Sequence, residues 1–454
     1  MTPTSNARTE LPGLVRLAVP LVAGLTASSM LMITDTWMLG PLGAVALAGA
    51  SLTASVIVVL WAALYGFLTP VGILVARAFG AGDHPRVARV LAHGRWLGFA
   101  IGTGCAATMI GLLPLLPVMG QPVEVVQGIA PYWIAMALLL VPYSVNLVYK
   151  QTLDAVDRPW TGVMWMFVAV VVNVPLSYAL VRGAWGVPRL GLTGAGLATL
   201  AAECASLCCF IAHWHLAPSM AHFRHRVSVL RKGLQEQSRE GFPMGLQYLA
   251  EGGALSVAGV FIGLLGAAAL AANQIVFSVA SVVYMLPLGM AGAVAVRIGQ
   301  AVGAGESRRV RPIGMAAIGL VTLWTVAISV LLLAGGERIA RTFVDDASVI
   351  GIASSMFVAV GLMQVFDGVQ SVSLGALRAL LDNRWPTAVT LGAYWALALP
   401  LGWVLAVPLG QGAAGFWAGF AVALSIAAVL LLRRFLQQSH PERAARWACT
   451  EPAR

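Results

Sequence analysis

The chain has 454 residues, of which 59% are hydrophobic and only 10% charged, with a mean hydropathy of +0.85. So little polar side chain cannot cover a water-soluble domain, which makes a lipid bilayer the expected solvent. A formal net charge of +10 would suit either a nucleic-acid-binding surface or a membrane protein with basic cytoplasmic loops, so the positions of Lys and Arg must separate the two.

A helix rises 1.5 Å per residue, and a hydrocarbon core of about 30 Å therefore takes about 20 apolar residues. In chain order, such runs are predicted near 12–36, 46–74, 94–118, 129–149, 161–181 and 191–214, then near 241–263, 272–296, 313–335, 348–373, 386–407 and 412–433. They are too long for membrane-spanning strands and lack their alternation. The first run has no Ala-x-Ala site and leads into another span, so it reads as a helix rather than a removed signal. The expected fold is an all-α integral membrane protein with 12 transmembrane helices. Trp37, Trp61, Trp133, Trp160, Trp185 and Trp385 lie near span ends and read as interfacial anchors. Cys204, Cys208 and Cys209 sit within an apolar run and are assigned no chemistry.

The basic residues choose the membrane reading. With the N-terminus inside, all of the 28 Lys and Arg fall in cytoplasmic segments except Arg182, Arg189, Arg338 and Arg341, which predicts that both termini are cytoplasmic. The densest cluster, Arg224, Arg226, Arg231, Lys232 and Arg239, has no interleaved aromatics and does not suggest nucleic acid; contact with anionic lipid headgroups is the modest alternative.

The chain also repeats itself, its second half following the motifs of the first. Gly40 to Ala48 aligns with Gly263 to Ala271, Gly80-Ala81-Gly82-Asp83 with Gly303-Ala304-Gly305-Glu306, and Gly191-Leu192-Thr193-Gly194 with Gly412-Ala413-Ala414-Gly415. Six spans per repeat is even, so the repeats are parallel and related by a pseudo-two-fold axis along the membrane normal, with a cavity expected between two six-helix bundles. The predicted division is residues 1–214 for an N-lobe, 215–240 for a basic cytoplasmic linker, 241–435 for a C-lobe and 436–454 for a cytoplasmic tail.

Among 18 acidic residues, only Asp35, Glu203, Glu251 and Asp367 fall inside predicted spans, where an ionised carboxylate costs about 2.5–3.5 kcal/mol or more. A transporter would use such a group to hold a proton, a sodium ion and a cationic substrate in turn; a structural hydrogen bond between helices is the plainer use. Glu203, among small residues and cysteines, is left outside the core site. Asn173 and Ser177 are four apart and share one helix face, where they can offer oxygens to one ligand, and Thr199 can add another. Alternatively, Asn173 repairs the kink that Pro175 makes.

Several ordered motifs converge on one family. They are Asp35-Thr36-Trp37-Met38-Leu39-Gly40, then Gly241-Phe242-Pro243, Glu251 and Leu270-Ala271-Ala272-Asn273-Gln274-Ile275, then Pro287-Leu288-Gly289 and Gly299-Gln300-Ala301-Val302-Gly303-Ala304-Gly305. With the repeat and the topology, the chain from Leu11 to Phe435 resembles the MATE family of multidrug and toxic compound extrusion transporters, in particular its bacterial NorM-like branch. The resemblance implies secondary active efflux of cationic or amphipathic compounds by antiport with H+ or Na+, in a bacterial inner membrane, without a cofactor and as a monomer. It implies an N-lobe cation site at Asp35, Asn173, Ser177 and Thr199, and a C-lobe site at Glu251 and Asp367. Sodium would sit at Asp35 with Asn173 or at Glu251 with Asp367. Gln247, Tyr248, Gln274, Phe277, Tyr284, Gln364 and Phe366 would line the cavity beside the acids. Two positions depart from the pattern: Arg77 stands where the second repeat has Gln300, and Ser177 where relatives often have Asp or Asn.

No nucleotide loop, metal cluster or nucleophile motif is present in the sequence, so an enzyme is not expected. The alternative within the superfamily is a flippase of lipid-linked oligosaccharides, whose pyrophosphate would require basic residues in the cavity. No Lys or Arg is placed mid-span by the hydropathy pattern, which favours organic cations.

Overall fold

The computed structural model describes residues 7–39, 42, 44–117, 123–440 and 443; the side chains at 27–37, 44, 45, 47, 48, 123–125 and 127, Trp37 among them, lie outside the described residues. Among the described residues, twelve helices are long and apolar enough to cross a membrane. They are α1 (Ala7–Leu39), α2 (Ala44–Gly80), α3 (His84–Leu112), α4 (Val123–Ala155), α5 (Pro159–Arg182) and α6 (Gly191–Leu216). The second set is α7 (Arg231–Leu264), α8 (Ala267–Gly303), α9 (Ser307–Arg341), α10 (Ala347–Ala379), α11 (Arg384–Ala406) and α12 (Gly412–Gln438).

Most helices outrun the predicted spans by one to several turns. Hydropathy marks only the stretch that lipid must solvate, whereas backbone hydrogen bonding carries a helix on into water once the next residues permit it. The linker predicted over 215–240 is correspondingly short of loop. α6 reaches Leu216, a 3-10 turn occupies Pro218–Phe223, and α7 begins at Arg231. This connection is packed, not slack: Met220 and Phe223 are buried, and Phe223 stacks on His84. Leu230 donates its N–H to His93 Nε2 at 2.9 Å, and Arg224 donates to the Trp214 and Ala217 carbonyls at the end of α6.

Trp133 is not an interfacial anchor. It is fully buried on α4 and its Nε1–H donates to the Met109 carbonyl of α3 at 2.6 Å, because a mid-helix indole can enter a core when its one donor finds an acceptor. Trp160 and Trp185 are exposed as expected of anchors.

The repeat is written in backbone hydrogen bonds. After α2, Asp83 N bonds Ala78 O with Gly82 at φ 69°; after α8, Glu306 N bonds Ala301 O with Gly305 at φ 74°. After α4, Arg158 N bonds Leu153 O with Asp157 at φ 60°; after α10, Asp382 N bonds Leu377 O with Leu381 at φ 59°. These are helix ends closed by a left-handed residue. They fix the correspondence of the repeats, Gly82 of the first standing for Gly305 of the second and Asp157 for Leu381.

Compactness divides the chain differently from that repeat. One unit comprises Ala23–Gly245, and the other Met1–Val22 with Leu246–Arg454. The two break points, after Val22 and after Gly245, stand at equivalent places in the two repeats, in the same register that pairs Gly82 with Gly305. Each falls just beyond a proline that interrupts the helical ladder, Pro20 in α1 and Pro243 in α7. The first helix of each repeat thus belongs in part to each unit. The start of α1 is tied to α8 and α9 by Glu10, buried, whose carboxylate accepts from Arg309 at 2.9 and 3.0 Å and lies 3.5 Å from Arg297.

Within each unit helices approach closely through glycine. In the C-terminal unit Gly419 of α12 lies so near Gly402 and Ala398 of α11 that an added Cβ would stand 2.6 Å from the Gly402 Cα and 2.9 Å from the Ala398 carbonyl oxygen. α11 itself carries a π-helical stretch over Gly392–Ala398 ahead of Pro400. Proline has no N–H to continue the ladder, and a widened turn accommodates the missing donor. Outside the spans, the Asp346 carboxylate caps α10 by accepting from Ser348 N at 2.8 Å and Ser348 Oγ at 2.7 Å, which holds it below the usual carboxylate range.

Candidate functional site

In the C-terminal unit the predicted acids converge. α7 supplies Glu251, α10 supplies Asp367, and α8 places Tyr284 where it hydrogen-bonds Glu251 and feels the charge of both carboxylates. Asp367 is only 8% exposed. The Tyr284 hydroxyl also shares a 3.0 Å hydrogen bond with Ser371 Oγ, one turn after Asp367. Tyr394, carried on the π-helical stretch of α11, faces the same charges and meets Gln370. Gln364 donates to the Ala280 carbonyl at 3.3 Å, leaving its Oε1 buried without a partner, and the Gln247 Nε2 is likewise buried and unsatisfied. Buried amide atoms of this kind cost free energy unless something fills them. Two carboxylates this close repel when both are ionised, and a cation between them relieves that repulsion.

Gln274, Phe277 and Phe366 lie on exposed faces of their helices, and Phe277 shares a small apolar pocket with Asn273, Phe416 and Trp417. Tyr248 is engaged elsewhere. Its hydroxyl accepts from Arg378 Nη1 at 3.0 Å and its ring lies 4.8 Å beneath that guanidinium.

Arg378 is the residue that sequence reasoning misses. Hydropathy and charge assign it to a cytoplasmic loop, yet it is buried in the last turn of α10 and its charge reaches Glu251. The spacing of Asp367, Ser371, Leu374 and Arg378, alternating four, three and four, puts them on one helical face. That periodicity is the available signal, hidden by the basic residues that follow.

In the N-terminal unit, α5 and α6 bring Asn173 and Thr199 together: Asn173 Nδ2 donates to Thr199 Oγ1 at 3.1 Å, and Thr199 Oγ1 donates to the Ala195 carbonyl. Asn173 and Ser177 are both 0% exposed, and among the described residues Asn173 Oδ1 and Ser177 Oγ have no hydrogen-bond partner. The kink-repair alternative for Asn173 finds no support, since its amide turns to α6 rather than to its own helix. Asp35 is on α1, but its side chain lies outside the described residues. Glu203, one turn beyond Thr199, accepts from Asn146 Nδ2 at 2.7 Å.

The two repeats of the chain also match the MatE family model, over residues 20–179 and 243–404. The chain belongs to the MatE family. The two matched segments begin at equivalent positions, in register with the internal repeat. Among its MatE relatives, the probable multidrug resistance protein NorM of Pseudomonas aeruginosa is 33% identical over 95% of this chain and 90% of its own length. The multidrug resistance protein NorM of Burkholderia vietnamiensis is 33% identical over 92% of each. Among solved structures, the eukaryotic MATE transporter AtDTX14 superposes with a TM-score of 0.88 at 20% identity, covering 97% of this chain and 98% of that one. An outward-facing multidrug resistance MATE transporter of the MOP superfamily gives 0.84 at 18% identity, covering 94% and 95%. This MatE protein is a multi-pass membrane transporter with the twelve-helix fold of those structures.

Proposed function

We propose that the chain is a secondary antiporter that exports lipophilic organic cations across a bacterial inner membrane, with both termini cytoplasmic, in exchange for an inward-moving cation. The observation that carries this reading is the cluster of Glu251, Asp367, Tyr284 and Gln364 in the C-terminal unit. A carboxylate pair lined by aromatic and amide groups can hold a cation of either kind, and holding one at a time is what couples their movements. Asn173 Oδ1 and Ser177 Oγ, buried oxygens without partners among the described residues, support a second, smaller cation site of hard oxygen ligands in the N-terminal unit, with Thr199 beside it; Asp35 is the acid proposed to serve this site. The proposed coupling ion is H+ or Na+. No catalytic step and no nucleic acid enter this reading; the protein acts as a monomer in contact with lipid.

The oligosaccharide flippase is less well supported. Its pyrophosphate would need free basic groups, and Arg378, the buried cation near the acids, is already engaged by Tyr248.

Proteoliposomes provide the test. An imposed pH gradient, or a sodium gradient at equal pH, is expected to drive tetraphenylphosphonium against its own gradient; no uptake under either gradient, with protein present in the bilayer, would remove the antiport reading. Orientation has its own measurement. A cysteine at Gln235, exposed on the early turns of α7, is expected to react with a membrane-impermeant maleimide only after the cytoplasmic face is opened, and labelling of intact cells would reverse the assigned topology.

A further inference from the structure

The antiport site does not use Glu203. This carboxylate sits midway along α6 and is reached from α4 by Asn146, whose Nδ2 donates both to Glu203 Oε2 at 2.7 Å and to the Glu203 carbonyl at 3.0 Å. Asn146 is 4% exposed, and its Oδ1 is buried without a partner among the described residues. One turn earlier on α4, Tyr143 lies within the field of Glu203 and packs against Trp61 of α2, the rings 5.5 Å apart. Trp61 Nε1 is itself buried and unsatisfied. α4 thus brings Asn146 and Tyr143 to this carboxylate while Trp61 of α2 backs Tyr143, and the spare polar capacity at Asn146 Oδ1 and Trp61 Nε1 costs free energy unless it is used.

Among the described residues, the groups around Glu203 bring no neutralising charge. α4 offers Tyr143 and, a turn beyond Asn146, Lys150, which is held by Asp154 at 2.7 Å. α6 contributes the neighbouring Cys204. α5 carries only Tyr178 and Arg182 as ionisable groups, both in its last two turns. α2 faces Tyr143 with an indole. An ionised carboxylate within a membrane span and without a counter-ion is strongly disfavoured, whereas a carboxyl that can take up a proton is not.

The internal repeat shows what this place corresponds to. The helix-end landmarks map Trp61 onto Tyr284, and Tyr143 and Asn146 onto Asp367 and Gln370. The polar cluster around Glu203 is thus the N-terminal counterpart of the Glu251–Asp367 cluster. The fourth helix of the first repeat has a tyrosine where that of the second has its aspartate, and the acid is supplied instead from α6.

We infer that Glu203, held by Asn146 beside Tyr143 and Trp61, is a further cation site of this chain, and that the cation it takes is a proton. The balance is simple: the carboxylate accepts one proton as an O–H bond forms and returns it when the bond breaks, with Asn146 stabilising the ionised form through Nδ2 and, with its amide turned over, accepting from the protonated form at Oδ1; the proton comes from water on one side of the membrane and returns to water on the other. A sodium ion would need several more oxygens than the carboxylate, one amide oxygen and one phenol provide. Only the transport arm of the test rests on the antiport reading.

The test is infrared titration of the full chain in nanodiscs, comparing wild type with Glu203→Gln, Glu251→Gln and Asp367→Asn. Glutamine keeps the size and the Asn146 contact, so Glu203→Gln is expected to fold and to lack one protonated-carboxyl band that both other variants retain. Asn146→Leu keeps the acid and removes its donor; the midpoint of that band is expected to move, which identifies it even if Glu203→Gln is poorly expressed. Replacing choline chloride by sodium chloride at fixed pH is expected to leave the midpoint unchanged. In proteoliposomes, Glu203→Gln is expected to slow pH-driven tetraphenylphosphonium export about tenfold or more while binding stays within about threefold, as for an interaction that serves turnover rather than affinity. A spectrum for Glu203→Gln identical to wild type, or a midpoint displaced by sodium, overturns the inference. If Glu251→Gln and Asp367→Asn abolish export while Glu203→Gln leaves both spectrum and export unchanged, this inference fails and the antiport reading stands; if wild type shows no gradient-driven export but the Glu203 band titrates, the antiport reading fails and the inference stands.

Discussion

Asp367→Asn is expected to abolish gradient-driven efflux while leaving the protein in the membrane. The substitution preserves the size of a side chain that is 8% exposed and keeps a hydrogen-bonding group opposite Tyr284, so packing changes little. What it removes is the capacity to change charge, and without that one cation cannot displace another. Losing an electrostatic contact to a cation in a site from which water is largely excluded costs about 3 kcal/mol or more, which is a fall in turnover of about a hundredfold. Glu251→Gln should do the same, and because the two acids act on one ligand, the double variant should be no worse than either single one. The measurement is ethidium efflux from cells with surface expression matched by immunoblot. Efflux within about twofold of wild type in both single variants would take these acids out of the mechanism and leave the fold untouched.

Gly419→Leu is expected to prevent the C-terminal unit from forming. An added Cβ there meets backbone atoms of Gly402 and Ala398, which cannot rotate aside as a side-chain end could, so α11 and α12 would have to separate along a buried seam that includes Phe416, Phe420 and Leu424. The cost should exceed the 1–3 kcal/mol typical of overpacking, more than about 3 kcal/mol. Size-exclusion chromatography after detergent extraction should show aggregate in place of a single peak. Gly259→Ala is the control: a Cβ added there meets nothing within 4 Å, and the variant should elute and melt as wild type does. A monodisperse Gly419→Leu protein with an unchanged melting temperature would mean that the close approach is not structurally required.

The twelve-helix architecture is legible in the sequence because lipid imposes a length on each apolar run, and that signal survives in a single chain. The acids of the candidate sites stand out for the same reason: within a span any ionisable side chain is conspicuous. What faces them is not legible. Arg378 lies only a few residues from Asp382, Asn383 and Arg384, and its place on the Asp367 face emerges only once α10 is known to continue as one helix through Ala379. Asn146 gives no sign in the sequence that it would hold Glu203, 57 residues away, because that contact depends on how α4 packs against α6. Trp133 is misplaced by its sequence position because proximity to a span end says nothing about which face of the helix it occupies, and the deciding fact, an acceptor at Met109, lies on another helix. The division of α1 and α7 between units is hidden too, since hydropathy runs unbroken through Pro20 and has only begun its second-repeat span two residues ahead of Pro243, so neither break point is marked.

That division governs the order in which the protein can be assembled during synthesis. The unit from Ala23 to Gly245 has all its parts once the first turns of α7 have been translated. The other unit starts with the first helix made and finishes with the last, so Glu10, buried in the completed structure, must wait for Arg309, a partner 299 residues downstream. Until then the first half of α1 is held without its packing partners, and the nascent chain carries an unfinished surface through much of its translation. The N-terminal segment is therefore among the last to complete its contacts although it is the first to be made, its ion pairs arriving in turn with Arg297 of α8 and Arg309 of α9.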